Sequence, residues 1–260
     1  MPPRSLDSRR PATARKPARF YAPGDYVKGG VVRLPEEEAL HATRVLRLGE
    51  GASITVFDGR GRTFKAQIIE AEKSRVSVAI GSPFHPAPEP HIEVTLVLAV
   101  LKGDSMDDAV RDAVMMGVTA IQPVVTARSE TTLIALERAA KRVRWQRVAI
   151  ASTKQCGRGL LPTVLDPVLL VKTLVPPPPG GAAVMCVEPD ADGGESIASL
   201  PARAPRTARV FIGPEGGWTP DEVTRVSAVA SPVTLGGRTL RAESMALVAL
   251  TALFTHWKEL

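Results

Sequence analysis

Residues 209–223 read "RVFIGPEGGWTPDEV". An apolar run stops at Gly213-Pro214-Glu215-Gly216-Gly217, and Thr219-Pro220-Asp221-Glu222 follows as a capping box. Thr219 caps a helix, Pro220 takes its first position, and Glu222 reaches back to the cap. Residues 213–218 are therefore the loop of a strand–loop–helix unit. In open α/β sheets, ligands collect at such carboxyl ends of strands. Glycines there serve either a tight turn or a ligand that lies close against backbone, and this stretch alone leaves both readings open. It is neither a Walker loop, which needs Gly-Lys-Ser/Thr, nor a GxGxxG fingerprint.

The rhythm extends on both sides of the loop. "HIEVTLVLAVL" (91–101) is a nearly continuous apolar strand, as expected when both faces are buried. Met106, Val110, Ala113 and Val114 repeat at helical spacing, with Gly117 set to end that helix. "TAIQPVV", "AAVMCV", "ARVFIG" and "SPVTLG" are further strands. Helices are expected over about 133–155, 221–230 and 243–258. Strand alternating with helix implies a parallel sheet in an α/β domain over 92–260. "VPPPPGG" (175–181) reads as a surface loop.

Upstream the pattern differs. A short helix ended by glycine is expected over 36–51. Alternating apolar residues then flank Asp58-Gly59, a hairpin signal, and "RVSVAI" (75–80) adds a strand. Short strands with tight turns point to a small β-domain over 20–82. Four prolines within 81–91 mark a linker at 83–91.

The net charge is +6, of which residues 1–19 carry +5: six basic residues against Asp7. This tail lacks the apolar stretch of a secretory signal and reads as a disordered extension. The rest of the chain is nearly neutral, so nucleic-acid binding has to come from local patches. No apolar run approaches the roughly 20 residues of a membrane span. Two cysteines and four scattered histidines give no metal spacing or disulfide framework, which suits a reducing cytoplasm and no metal.

A second glycine loop, "LGGRTLRAESMALVAL" (235–250), also runs from a strand into a helix and holds Arg238, Arg241 and Glu243. A carboxylate suits a helix start, but arginines do not, so they are expected to face an anion or a developing charge. "VVTARSE" (124–130) is a third strand-end loop, with Arg128. The basic face of the long helix holds Arg144 and Arg147, with Arg158 beyond it. His41, Arg44 and Arg47 with Arg60 and Arg62 form a basic stripe on the β-domain. Each set reads as a solvated charged face or as a phosphate-contacting surface.

Together, "HATRVLRLGEG", "KGDSMDDAVRDAVMMGV", "RWQRVAIASTKQCGR", "FIGPEGGWTPDEV" and "LGGRTLRAESMALVALTAL" closely resemble the RsmE-type 16S ribosomal RNA uridine-N3 methyltransferases. The likeness runs from about Phe20 to the C-terminus. The tail and the proline loop near Pro176 lie outside it, and Ser244 stands where the family usually has Thr. The resemblance implies a PUA-like β-domain for RNA recognition, followed by a SPOUT-class α/β domain with a C-terminal trefoil knot. Periodicity gives no hint of the knot, and true knots are very rare. It further implies a homodimer acting on 16S rRNA in the small ribosomal subunit, with S-adenosyl-L-methionine as donor. Donor-binding positions would be Thr126; Ile212, Gly213, Pro214, Glu215, Gly216 and Gly217; Leu235, Gly236, Arg238, Thr239 and Leu240; and Glu243, Ser244 and Ala246. Arg241 is the expected catalytic residue, with Arg128 or Arg158 as alternates, and Glu215 is expected to brace its loop. Two other activities share these features: a knotted ribose 2′-O-methyltransferase and a non-catalytic RNA-binding assembly factor.

Overall fold

The computed structural model describes residues 17–191 and 193–260. Strands β1 (Arg19–Tyr21), β2 (Val31–Arg33), β3 (Ser53–Phe57), β4 (Thr63–Glu72) and β5 (Arg75–Pro83) form one sheet in the order β1-β3-β4-β5-β2, with helix α1 (Glu36–Leu40) between β2 and β3. β1 runs parallel to β3, and the other pairs are antiparallel. Alternate residues such as Ile54, Val56, Ile68, Val76 and Val78 point to one core with Phe20, the period-2 pattern of a half-buried sheet. The turn after β3 is built on Asp58, whose carboxylate accepts the N–H groups of Arg60 and Arg62 at 2.8 and 3.1 Å. The helix expected over 36–51 stops sooner than its glycines predict. α1 passes into a π-helical turn over His41–Val45, and Arg47 then takes a left-handed φ of 52°.

The remainder is an eight-stranded sheet. Its elements are β6 (Glu93–Ala99), α2 (Ser105–Met116), β7 (Ala120–Val125), α3 (Leu133–Arg138), α4 (Lys141–Cys156), β8 (Thr163–Val164), β9 (Val168–Leu169), β10 (Gly181–Cys186), β11 (Glu195–Ser196), β12 (Thr207–Ile212), α5 (Pro220–Ser227), β13 (Ser231–Thr234) and α6 (Ala242–His256). The order is β11-β13-β10-β12-β6-β7-β8, with β9 also on β7, and every pairing is parallel. Both faces are covered. Leu96, Leu98, Val184, Val210 and Ile212 face α2, α4 and α6 through Val110, Trp145 and Leu250. Val97, Ala99, Met185 and Phe211 face the other way, toward Val226 of α5. The near-continuous apolar strands follow from this double burial.

The single helix expected over 133–155 is two helices. Thr132 caps α3 by accepting the Ala135 N–H, and Ala140, at φ 46°, ψ 37°, breaks the helix before α4. Left-handed backbone costs a non-glycine residue about 1–2 kcal/mol. No glycine or proline marks the site, so nothing in the local sequence announces the break.

The two sheets meet along α4. Arg19 belongs to β1 rather than to a tail, and it donates to the Thr153 carbonyl at 2.9 Å and to that of Arg158. Residues 1–16 of the expected tail lie outside the described residues. Lys154 Nζ sits 2.9 Å from both carboxylate oxygens of Glu38 and 3.1 Å from His41 Nδ1. The stretch read as a linker is pinned: Ala87 N–H donates to the Gly157 carbonyl at 2.9 Å, and Glu89 pairs with Arg158 at 2.7 Å.

Candidate functional site

A cavity of about 550 Å3 opens at the carboxyl ends of β6, β10, β12 and β13, within the usual size of small-molecule sites of about 300–1,000 Å3. Four chain segments wall it. The loop after β12 contributes Gly213, Pro214, Glu215, Gly217 and Trp218. The loop after β13 contributes Leu235, Gly236, Arg238, Thr239, Leu240 and Arg241. The start of α6 brings Glu243 and Met245. Lys102 follows β6, and Val187 and Glu188 follow β10.

The capping box forms as expected. Thr219 Oγ1 accepts the Glu222 N–H at 3.2 Å, and Glu222 Oε2 accepts the Thr219 N–H at 3.0 Å. The other Glu222 oxygen takes the Ala127 N–H at 2.8 Å, tying the loop after β7 to α5. Glu215 accepts the Lys102 N–H at 2.8 Å, so it braces the loop after β12 against the loop after β6. Lys102 itself pairs with Glu130, which pushes its ammonium pKa above the usual lysine value.

The glycines of this loop make room for the protein's own side chains. A Cβ on Gly213 would lie 3.0 Å from the Trp218 ring, and one on Gly216 would lie 3.4 Å from Arg128. Gly217 has φ +70°, and a Cβ there would stand 2.7 Å from Glu188 Oε1. Trp218 is fixed by an indole N–H donated to the Cys186 carbonyl at 3.0 Å. The second loop is the opposite case. Gly236 has φ +87° and lines the cavity, and a Cβ on Gly236 or Gly237 would meet nothing within 4 Å, so backbone there is unobstructed. No side chain caps the amino end of α6, whose partial positive charge favours an anionic group.

The expected site residues separate in space. Arg241 lines the cavity, its side chain 86% exposed and 3.9 Å from Glu243. Arg128 reaches over the β12 loop and donates to the Gly216 carbonyl at 2.6 Å, outside the cavity lining. Arg158 is corrected: it lies at the opposite, amino end of the sheet. There it is buried, paired with Glu89 ahead of β6 and donating to the Val114 carbonyl at 2.7 Å. Thr126 faces a separate cleft of about 300 Å3 beside Thr219 and Glu222. Ser244 lies outside the lining, and Ala246 is buried in the core under α6.

The expected RNA contacts are largely engaged elsewhere. Arg62 binds Asp58 and Asp25, Arg144 binds Asp104 and Asp107, and Arg147 binds Glu37. His41 is turned toward Lys154, and burial, with that cation beside it, lowers its pKa. Arg60 is exposed and 3.8 Å from Asp25. Arg44 and Arg47 are exposed, and neither has an acidic partner among the described residues.

Sequence reasoning missed Lys102, Cys186, Val187, Glu188, Trp218 and Met245. Glu188 was accessible to it, since it follows a recognised strand. The Cys186 thiol is pushed up to about 12 by burial, so it stays protonated. Among the described residues there is no metal-binding cluster of His, Cys, Asp and Glu, and no helix long and apolar enough to cross a membrane.

Comparison with known proteins gives a consistent picture. A family profile described as an RNA methyltransferase domain matches residues 88–254, and one described as an RNA methyltransferase PUA domain matches residues 34–81. The ribosomal RNA small subunit methyltransferase E of Synechocystis is 32% identical over 226 residues, covering 84% of this chain and 71% of the relative. A crystal structure of ribosomal RNA small subunit methyltransferase E from Neisseria gonorrhoeae bound to S-adenosyl methionine is 32% identical. It superposes with a TM-score of 0.83 over 93% of this chain and 98% of that one. A Legionella pneumophila protein in complex with the cofactor SAM is 28% identical, with a TM-score of 0.85 over 92% of this chain and 98% of that one.

Proposed function

This chain belongs to the RNA methyltransferase family, and we propose that it methylates N3 of a uridine in the 16S rRNA of the small ribosomal subunit. The donor is S-adenosyl-L-methionine, and the cavity at the strand ends is its site. The observation that carries this reading is the unobstructed backbone at Gly236 in the cavity wall, beside the uncapped start of α6.

The cavity residues suit that donor. Val187, Ile212, Leu240 and Met245 offer apolar surface for a flat base. The α6 amino end and Arg238 suit a carboxylate, and Glu188 and Glu243 suit cationic groups. When bound, S-adenosyl-L-methionine supplies an already activated methyl group. The chain's own residues then orient the reactants and manage charge, and much of the acceleration comes from that positioning. Uracil N3 must lose its proton before it can attack, and the negative charge spreads over the ring oxygens. We assign Arg241 to the stabilisation of that charge, as an exposed guanidinium at the cavity wall. Arg128, held by the Gly216 carbonyl, supports the wall of the site.

The reading includes a C-terminal trefoil knot, a homodimer and a cytoplasmic location. Met115 on α2 and Val248 on α6 are exposed apolar residues on helices that pack together, which supports a dimer face there. RNA recognition falls to the β-sheet unit, with Arg44, Arg47 and Arg60 available to phosphates.

The test is methyl incorporation into small subunits lacking the modification, followed by mapping of the product. A methyl on a uracil base supports the reading. A methyl on a ribose hydroxyl overturns the assignment of N3. A protein that binds no donor in calorimetry is an assembly factor and no enzyme.

A further inference from the structure

The β-sheet unit has one face on its core and one open face. On the open face, the start of β3 with β4 and β5 presents Ser53, Lys65, Gln67, Ala79 and Gly81 around a groove of about 430 Å3, with Thr55 buried in its floor. Strand register brings these side chains together: Ser53 stands opposite Gln67, Thr55 opposite Lys65, and Gln67 opposite Ala79. Most are small, so the floor is shallow. At Gly81 even a methyl would sit 2.9 Å from the Lys65 carbonyl, which keeps that part of the floor bare. Phe84 also lines the groove. It is 44% exposed, and its backbone N–H is anchored to the Thr63 carbonyl at 2.7 Å. Phe84 therefore offers a half-exposed ring at the edge of the groove.

The groove's chemistry narrows the choice. Among the described residues, Lys65 is its only ionisable lining residue, and no carboxylate lines it. Ser53 and Ser82 offer hydroxyls. The Gln67 amide donates to the Gly51 carbonyl at 3.1 Å, which leaves its side-chain oxygen as a fixed acceptor. An aromatic face, a cation for a phosphate and fixed polar groups for a base edge are what single-stranded RNA requires, and open β-sheets bearing aromatics bind it in this way. Pro17 lines the groove as well. The sixteen residues before it carry five basic side chains and one aspartate. Their charge has the same sign as Lys65, so they suit an anion lying in the groove and do not suit the groove themselves.

We propose that this face is a single-strand RNA site in which a base stacks on Phe84 and Lys65 holds the adjoining phosphate. The proposal rests on the reading of the chain as a ribosomal RNA methyltransferase, and it adds a contact surface apart from Arg44, Arg47 and Arg60.

The experiment compares the full-length protein with Phe84→Ala, Phe84→Tyr and a form lacking residues 1–16. Far-UV circular dichroism checks folding, since Phe84 is outside the core. Steady-state methyl transfer to small subunits and calorimetric donor binding are measured on each. Phe84→Ala should raise KM for small subunits roughly tenfold, as expected for one lost base stack, with kcat and donor affinity unchanged. Phe84→Tyr, which still stacks, should stay near wild type. Deleting residues 1–16 should raise KM and flatten its dependence on salt. An unchanged KM in folded Phe84→Ala overturns the proposal, whatever other partner the face serves. A lower KM on deletion also overturns it, because the segment itself would then be the occupant. If the wild type methylates nothing, the functional reading fails on its own. Filter binding of small subunits still decides the groove in that case: weaker binding by Phe84→Ala supports it, and equal binding overturns it.

Discussion

Removing the charge of Lys154 should loosen the contact between the two sheets more than any other single change on that surface. Its ammonium lies 2.9 Å from both oxygens of Glu38, and the two side chains are only 14% and 10% exposed. At that distance and an effective dielectric of about 20, the attraction is about 6 kcal/mol before desolvation is subtracted. Lys154→Met leaves the Glu38 carboxylate buried with the Tyr21 N–H, at 3.2 Å, as its remaining donor. Orphaning one member of a buried pair costs about 3–5 kcal/mol, and the low end applies because some water reaches both groups. The double variant Lys154→Met/Glu38→Gln should recover most of that loss, since no charge is left unpaired and the amide oxygen can still accept from Tyr21. The assay is urea unfolding followed in parallel by tryptophan fluorescence and far-UV circular dichroism. All three tryptophans, Trp145, Trp218 and Trp257, belong to the α/β part. The two curves should coincide in the wild type and separate in Lys154→Met, where the β-sheet unit melts first. A loss under about 1 kcal/mol, as for a surface pair, would refute the reasoning. So would a double variant no more stable than the single one.

Four further outcomes are expected. His41 sits beside Lys154 with its pKa below the usual histidine value, first through burial and then through that cation. The fold therefore resists its protonation. Its contribution to stability is complete above the unfolded pKa and is lost as pH falls through the lower folded value. Unfolding midpoints across that range should fall with acidification, and His41→Gln should flatten the profile. Gly213→Ala drives a methyl against Trp218 and should cost about 1–3 kcal/mol by overpacking, read as a lower thermal midpoint. Gly236→Ala meets open space, so beyond about 1–2 kcal/mol of left-handed strain its larger effect should be weaker donor binding in calorimetry. Arg241→Ala should lower kcat at least about a hundredfold, as loss of an oxyanion donor does, with donor affinity unchanged. A near-wild-type rate would remove Arg241 from the chemistry.

The features legible in the sequence share one property: their causes are local. The capping box from Thr219 to Glu222 spans four residues, and the chain reproduces it. The near-continuous apolar run of β6 needs only burial on both faces, and its residues divide between the two cores. The basic residues behave differently because their partners are distant in sequence. Arg147 finds Glu37 110 residues away, Arg158 finds Glu89 69 away, and Arg144 finds Asp107 37 away. No periodicity records such pairs, so the sequence left a run of arginines on a helix open between a solvated face and a phosphate surface, and much of it is a set of ion pairs. The glycines after β12 follow the same rule. Their need for space was legible, but the occupants of that space were not, because Arg128 and Glu188 reach them from other loops. A charge therefore says little about RNA until its acidic neighbours in space are known. Lys65 passes that test, since no carboxylate among the described residues lines its groove. It stands on a strand whose alternation was recognised, with no motif to single it out, so a search for RNA contacts by basic clusters in sequence would pass over it.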